Sequence, residues 1–521
     1  MSVVQLGTPS RIVAEDELRP VLAKAGLELS GPLIDDYRTL VSSLDAAIAS
    51  LPDDKSILPY PDLLKYPRTD IHVTVKCVKP AGGLLSGRTV ALKDNMALAG
   101  VRCTNGTSMV DWTPNIDATV VTRVLDAGAT IIGKAACENS CLEGMSATAV
   151  TGQVHNPFQK GYSAGGSSSG SGRLVATGSV DLAFGCDQGG SIRIPASSCG
   201  IVGLKPTWGL VPYTGILSLD ATIDHVGPMA KNVRDCALFL EAIAGPDGWD
   251  DRQPPFGLDG ERLKFVDPVD LILGKESANM LEGFRIGVLD EGFEVPGQDP
   301  NVVASVRSAI NKFKALGAEV NPVSVPLHKE APLLWTCALP LSGGRQSLLG
   351  DMDGRKQLYL TDRAELIGPK LSQAQFDALG PGASNMYIGY LWMQEKYGAK
   401  IQGKAMNLLK ASSDAYDKAL KEFDVLVMPT LPYPPPRLPE PESSEGPLNY
   451  LTRTTGLIAN TCPFNNSGHP ALSLPVGFVP AREDPTVKLP TAVQIVGRKY
   501  ADVDCLKVAA AWEREFDWKA L

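Results

Sequence analysis

What this chain has little of closes off several classes of function. No stretch of its 521 residues reaches the ~18 consecutive apolar positions of a membrane-spanning helix, so no association with a membrane is expected. Positive charge is in deficit, with 49 Lys and Arg against 58 Asp and Glu and a net charge of −9. That balance disfavours a nucleic-acid surface or an anionic membrane and fits a small neutral ligand better. Ten cysteines (Cys77, Cys103, Cys137, Cys141, Cys186, Cys199, Cys236, Cys337, Cys462 and Cys505) lie scattered in apolar segments without one CxxC pair, so buried, reduced thiols are expected. The opening MSVVQLGTPSRIVAEDELRP has neither a basic n-region nor a continuous apolar h-region, which points to a cytoplasmic location. Histidine occurs only at His72, His155, His225, His328 and His469, so few candidates exist for a histidine base.

The remaining composition is that of a soluble globular protein, 44% hydrophobic and 21% charged, with 51 Gly and 40 Pro implying many turns. The length exceeds one typical core, so a large domain with an appendage, or two or three domains, is expected. Residues 1–80 carry apolar positions spaced by three and four in DELRPVLAKAGLEL and PLIDDYRTLVSSLDAAIASL, the pattern of a helical extension and a candidate dimerisation arm. A proline-rich stretch, Pro52 to Gly87, leads into the body, residues 81–521. There, strand-like runs (TVALKD, TIIGKA, VDLAFGCD, FRIGVLDEG, FDVLVMPT, TAVQIVG) alternate with helical ones, predicting an α/β fold with a mixed, mostly parallel sheet covered by helices on both faces. Two stretches break the rhythm. Residues 245–280 are expected to form a surface connection, and Pro429–Pro447 a structured surface or pocket-rim loop.

The chemistry concentrates in YSAGGSSSGSGRLVATGSVDLAFGCDQGGSIRIPASS, residues 162–198, where two serine-bearing glycine clusters are separated by a predicted helix and strand. At the second cluster the strand ends near Asp187, and Gly189 and Gly190 precede Ser191 at a strand-to-helix junction, where backbone N–H groups point outward. Such a turn presents a hydroxyl while the N–H groups of Gln188, Gly189, Gly190 and Ser191 stand ready for an oxyanion. A tight turn that merely needs glycine is the plainer reading of GGS alone. The first cluster lacks the Lys-Ser/Thr of a phosphate-binding loop, because Gly170 is followed by Ser171 and Gly172. A serine nucleophile needs a base. His225 and His469 sit in turn-like contexts, yet Ser191 lacks the GxSxG elbow of the α/β-hydrolases. The alternative is Lys93 in VALKDNMAL, an ammonium placed in an apolar strand where desolvation favours the neutral amine.

Lys93, Ser167 and Ser191, in that order and within KDNMALAGVRCTNGTS, GGSSSGSG and DQGGSIRIPAS, resemble the amidase signature family. LDAGATIIGKAACENS, GIVGLKPTWGLVPYTG, DHVGPMAKNVRD, NNSGHPALSLPVGF and QIVGRKYAD follow in family order, so the likeness covers about 85–515, with the signature core at about 85–245 and a variable pocket region at about 330–450. The resemblance implies an amide hydrolase of the amidase signature fold with no cofactor. Ser191 would form an acyl-enzyme, Ser167 would bridge after a cis peptide, and Lys93 would be the neutral base. Gln188 to Ser191 would supply the oxyanion hole, Cys141 would border the substrate, and Asp187, Arg193 and Ser168 would brace the site. Ser169 stands where many members have glycine, a change expected to alter local packing only. Stand-alone amidases of small aliphatic or aromatic carboxamides are the nearest branch in character. Carbamate or anilide hydrolysis is a close variant, a glutamine-dependent transamidase subunit the main rival, and a catalytically silent scaffold the least favoured reading.

Overall fold

The computed structural model describes residues 9–24, 26–29, 31–50, 58–66, 75–76, 82–253, 263–352, 354–440 and 446–521. His72, Cys77 and the centre of the 429–447 loop therefore lie outside the described residues. The chain divides into two compact units, Met1–Pro59 and Tyr60–Leu521. In the first, helices α1 (Glu15–Lys24) and α2 (Pro32–Ala49) close over a small core of Val13, Leu18 and Ile34. The Ser42 hydroxyl accepts from Val13 N at 2.7 Å, and Arg38 Nε donates to Val13 O at 2.8 Å.

The second unit is built on one eleven-stranded sheet. In chain order its strands are β1 (Val75–Lys76), β2 (Thr89–Lys93), β3 (Thr130–Ala135), β4 (Leu182–Asp187), β5 (Val202–Lys205) and β6 (His225–Ala230), followed by β7 (Arg285–Leu289), β8 (Glu319–Val323), β9 (Val425–Pro429), β10 (Ala471–Pro480) and β11 (Lys488–Gly497). Across the sheet they run β1-β3-β2-β4-β6-β5-β10-β11-β9-β7-β8. The α/β class and the mixed sheet are as expected, but the sheet is not mostly parallel. Among the described residues only β2/β3, β2/β4, β7/β8 and β7/β9 run parallel, while the pairings through the centre are antiparallel. The reason lies in the connections. Parallel neighbours need a helical crossover, supplied by α3 (Thr119–Asp126) between β2 and β3 and by Pro300–Ala315 between β7 and β8. β10 and β11 are joined by a short turn and can pair only antiparallel. The 245–280 stretch likewise departs from a plain surface connection, because it contains the helix Val266–Leu273 with Val269 fully buried.

Strand alternation decides which face carries the chemistry. Val90 and Leu92 of β2, with Leu182, Phe184 and Cys186 of β4, join the large core on one face. Ala91 and Ala183 point to the other, against Ala164, Ile192 and Ala196. Two positions on from Ala91, Lys93 shares that second face, as Asp187 does by its spacing from Ala183. Small side chains there let α4 (Ser169–Thr177) and α5 (Arg193–Cys199) approach closely. At Gly185 a Cβ would come within 2.8 Å of Ile192 Cγ1, so the approach requires glycine.

Candidate active site

The carboxyl ends of the parallel neighbours β2 and β4 meet at the site. Lys93 closes β2, is fully buried, and donates from Nζ to Ser167 Oγ at 2.8 Å and more weakly to Cys186 O at 3.4 Å. Ser167 lies just before α4, also fully buried, and the Gly166–Ser167 peptide is cis. Ser168 pins the start of α4 to β4, its Oγ accepting from Cys186 N at 3.3 Å. Ser169, the departure from glycine, donates to Glu138 Oε1 at 3.3 Å.

Beyond β4 the chain turns through Gln188–Ser191 into α5. Gly190 takes φ +140°, and a Cβ there would sit 2.5 Å from Thr461 Oγ1. The turn is held by a buried ion pair in which Asp187 and Arg193 have no solvent exposure. All five guanidinium N–H groups are used. Nε donates to Asp187 Oδ2 (3.0 Å), Nη1 to Thr461 O and Gln494 Oε1 (2.8 Å each), and Nη2 to Asp187 Oδ1 (2.8 Å) and Asn465 Oδ1 (2.7 Å). Burial works against the Asp187 charge, but Arg193 outweighs it and holds the carboxyl well below its ordinary range. This carboxylate also accepts from Gly190 N at 2.8 Å. The Gly190 N–H is thus turned to Asp187, and the outward donors expected of the turn reduce to Gln188, Gly189 and Ser191.

Ser191 is half-buried and opens on a cavity of about 650 Å3, counting its mouth. Gln188, Gly189 and Cys141 share its wall. The Gln188 side chain turns away from it, donating from Nε2 to Tyr213 OH (2.8 Å) and Asp224 Oδ1 (2.9 Å), so only its backbone faces a ligand. Trp335, from the helix Ala331–Gly343, completes that side by donating Nε1 to Gln188 O at 2.8 Å. Met386 and Tyr387 belong to an apolar core and Trp392 is exposed. Apolar side chains such as Ile194, Leu219, Leu451, Leu457 and Ile458 form most of the remaining wall.

Among the described residues, no histidine lines this cavity. His225 is buried beside Asp187 on the neighbouring strand, its Nδ1 on Ile223 O at 2.7 Å, and burial drives it well below the ordinary imidazole value. His469 bridges Ser467 and Asp417, and His328 bridges Tyr416 and Asn460.

Burial is the largest influence on Lys93 and opposes its charge, yet Cys141, Cys186, Cys137 and Asp187 turn the balance upward from the ordinary lysine value. Asp187 is the smallest of these influences, so most of the upward pull is only as strong as the charge on the three thiols. Burial pushes the Cys186 thiol to about 12, and the Cys141 hydrogen bond and burial push Cys137 well above its ordinary value, so both are neutral near pH 7. Cys141 moves the other way: burial opposes its ionisation, but Cys137 and Lys93 outweigh it. Lys93 and Cys141 therefore share one proton question, ammonium with thiolate or amine with thiol.

The loop from Glu138 to Thr148 wraps this centre, with left-handed φ at Ser140, Cys141, Glu143 and Ser146. Such residues cost of order 1–3 kcal/mol each and persist where surroundings fix them. Here the Glu138 carboxylate ties the far end of the loop back to its start, accepting from Ala147 N (2.9 Å), Thr148 N (3.0 Å) and Thr148 Oγ1 (2.8 Å). Glu143 was not evident from sequence. It lines the cavity, its Oε1 accepts from Gly382 N, and its carboxyl is buried beside the Tyr450 hydroxyl.

With this geometry in view, the comparisons are specific. The Amidase family model matches residues 70–506. This chain belongs to the amidase signature family. An enantioselective amidase of Rhodococcus rhodochrous is 40% identical over 456 residues, covering 86% of this chain and 84% of that one. A glutamyl-tRNA(Gln) amidotransferase subunit of Pseudothermotoga lettingae is 31% identical over 83% of this chain and 86% of its own length. The solved structure of 6-aminohexanoate cyclic dimer hydrolase superposes with TM-score 0.70 at 25% identity, over 85% of this chain and 87% of that one. The protein is accordingly a hydrolytic amidase with an amidase signature fold.

Burial, then the Glu138 charge, raises the Glu143 carboxyl to about 8. An unfolded glutamate titrates near ~4.3, so the unfolded chain loses this proton first and wild-type stability falls as pH rises from ~4.3 toward 8. Glu143→Gln, which carries no such proton, should gain melting temperature relative to wild type as pH goes from 5 to 8. A melting difference that does not change with pH would contradict the assignment.

Proposed function

We propose that this amidase hydrolyses small aliphatic or aromatic carboxamides to a carboxylic acid and ammonia or an amine, using Ser191, Ser167 and Lys93 as a relay. The hydrogen bond from Lys93 Nζ to Ser167 Oγ, behind the cavity on which Ser191 opens, carries the reading. Ser191 Oγ attacks the carbonyl carbon and its proton passes to Ser167 Oγ, whose own proton moves to Lys93 Nζ. The C–N bond then breaks and the relay returns a proton to the departing nitrogen. Water cleaves the resulting ester by the same route. In this scheme the amine–thiol state of the Lys93–Cys141 pair is the active one, since without a thiolate beside it burial favours the neutral amine.

The oxyanion would be held by the N–H groups of Gln188, Gly189 and Ser191, each such donor being worth about 3 kcal/mol in acyl transfer. The apolar walls favour an uncharged acyl group, and the higher identity to an amidase than to the transamidase subunit supports the stand-alone branch. Carbamate and anilide bonds suit the same attack. A transamidase role remains the rival, and dependence of ammonia release on a second protein and tRNA would establish it. A cytoplasmic location belongs to the same proposal.

The purified chain alone should release ammonia from benzamide or propionamide. Ser191→Ala should abolish release, and Lys93→Ala should reduce it by ~10²–10⁴-fold, the range of general-base catalysis, with circular dichroism unchanged. Activity surviving in Ser191→Ala, or a mild Lys93→Ala beside a severe His225→Ala, would reject the assignment.

We further propose a homodimer through α2. Leu33, Tyr37, Leu40, Leu44 and Ile48 follow helical spacing and are all exposed, a stripe of the kind that pairs with its own copy. Sedimentation should show a dimer that Leu40→Glu with Leu44→Glu converts to monomer. A wild-type monomer at working concentration would dismiss it.

A further inference from the structure

A second cleft, about 600 Å3 counting its mouth, lies between segments 213–218 and 346–363 and shares no lining residue with the Ser191 cavity. Three arginines line it, Arg252, Arg355 and Arg363. Two are already satisfied. Arg252 grips Asp250 through two bonds, Nε to Oδ1 at 2.9 Å and Nη2 to Oδ2 at 2.7 Å. Arg355 pairs with Asp251 and reaches Asp250 at 3.3 Å.

Arg363, on the helix Thr361–Ile367, is different. It is only 6% exposed, and among the described residues its guanidinium has no ion pair and no hydrogen bond. The adjacent Asp362 gives Oδ2 to Trp112 Nε1 at 2.9 Å and Oδ1 to the Arg363 backbone N–H at 2.9 Å. The nearby Cys103 thiol is pushed up to about 11 by burial and carries no charge near pH 7. Asp224, the remaining carboxylate on the cleft, is occupied by Gln188 Nε2, Leu219 N and the Ser218 hydroxyl. Burial lowers Arg363 to about 10, which still leaves it cationic at neutral pH.

A largely buried cation with no carboxylate or hydrogen bond to hold it is costly in an empty protein, and the deficit names what is missing: negative charge and oxygen acceptors within reach of a planar fork. We propose that this cleft is a binding site for a small oxyanion, held by the Arg363 guanidinium. Two sources share that chemistry, a carboxylate of the kind amide hydrolysis releases and inorganic phosphate. The site is independent of Ser191. Its wall nevertheless touches the catalytic turn, since Tyr213 and Asp224 are the two groups that hold the Gln188 side chain.

Isothermal titration of the full chain with benzoate, and separately with phosphate, at constant ionic strength tests the proposal. Wild type and Ser191→Ala should both give a saturable heat with at least one anion, and the anion that binds identifies the source. Arg363→Met should weaken that binding by tenfold or more, and Arg363→Lys, which keeps the charge but not the planar fork, should weaken it by less. In anion-free buffer Arg363→Met should melt at or above the wild-type temperature, because it removes an uncompensated charge. No saturable heat in wild type, a heat unchanged in both variants, or an Arg363→Met that melts lower without anion would overturn the site.

Discussion

A guanidinium that never meets water governs the catalytic half of this protein. Breaking a buried pair typically costs 3–5 kcal/mol, because the surviving charge is left without solvent or partner. Arg193 escapes that penalty by spending every N–H it has, and its partners are drawn from across the fold: Asp187 at the end of β4, Thr461 and Asn465 before and within the helix Cys462–Ser467, and Gln494 on β11. Asp187 in turn holds Gly190 N and Ile192 N. The turn that presents Ser191 is consequently fixed by elements nearly three hundred residues downstream, and its remaining N–H groups are aimed before any ligand arrives. Preorganisation of this kind is what makes dipoles effective against developing charge.

The two kinds of buried charge in this unit make an instructive pair. Arg193 is saturated and serves as scaffold, whereas Arg363 is nearly as buried and has no partner among the described residues. Lys93 stands between them, held by one good hydrogen bond to Ser167 and surrounded by thiols that are neutral or poised. A lysine fully paired with a carboxylate would remain an ammonium and have no use for another proton. Lys93 has no such paired carboxylate, and its hydrogen bonds go to a hydroxyl and a carbonyl instead.

Much of this was legible in the sequence, and the reasons for the rest are physical. The apolar runs VDLAFGCD and FDVLVMPT marked β4 and β9 as strands, and helical spacing marked α2. The glycine pair before Ser191 and the charge in an otherwise apolar β2 led to Lys93, Ser167 and Ser191, with the family's motifs joining them. Pairing direction in the centre of the sheet was not legible, because it depends on connections such as the short β10–β11 turn rather than on the strands themselves. Neither was the wall of the cavity. Trp335 and Leu457 come from helices and turns far along the chain, and only tertiary packing brings them to Gly189 and Ile194. Gln188 shows the limit most clearly: nothing in the sequence tells that Tyr213 and Asp224 take the side chain of this residue in the turn before Ser191.

The central claim is that Ser191 is the group made nucleophilic by a buried lysine acting through Ser167. Reaction with phenylmethylsulfonyl fluoride, followed by peptide mass mapping, tests it most directly. A single sulfonyl adduct is predicted on Ser191 and none on Ser167, with labelling slowed by orders of magnitude in Lys93→Ala. An adduct on Ser167, or a labelling rate indifferent to the loss of Lys93, would contradict it.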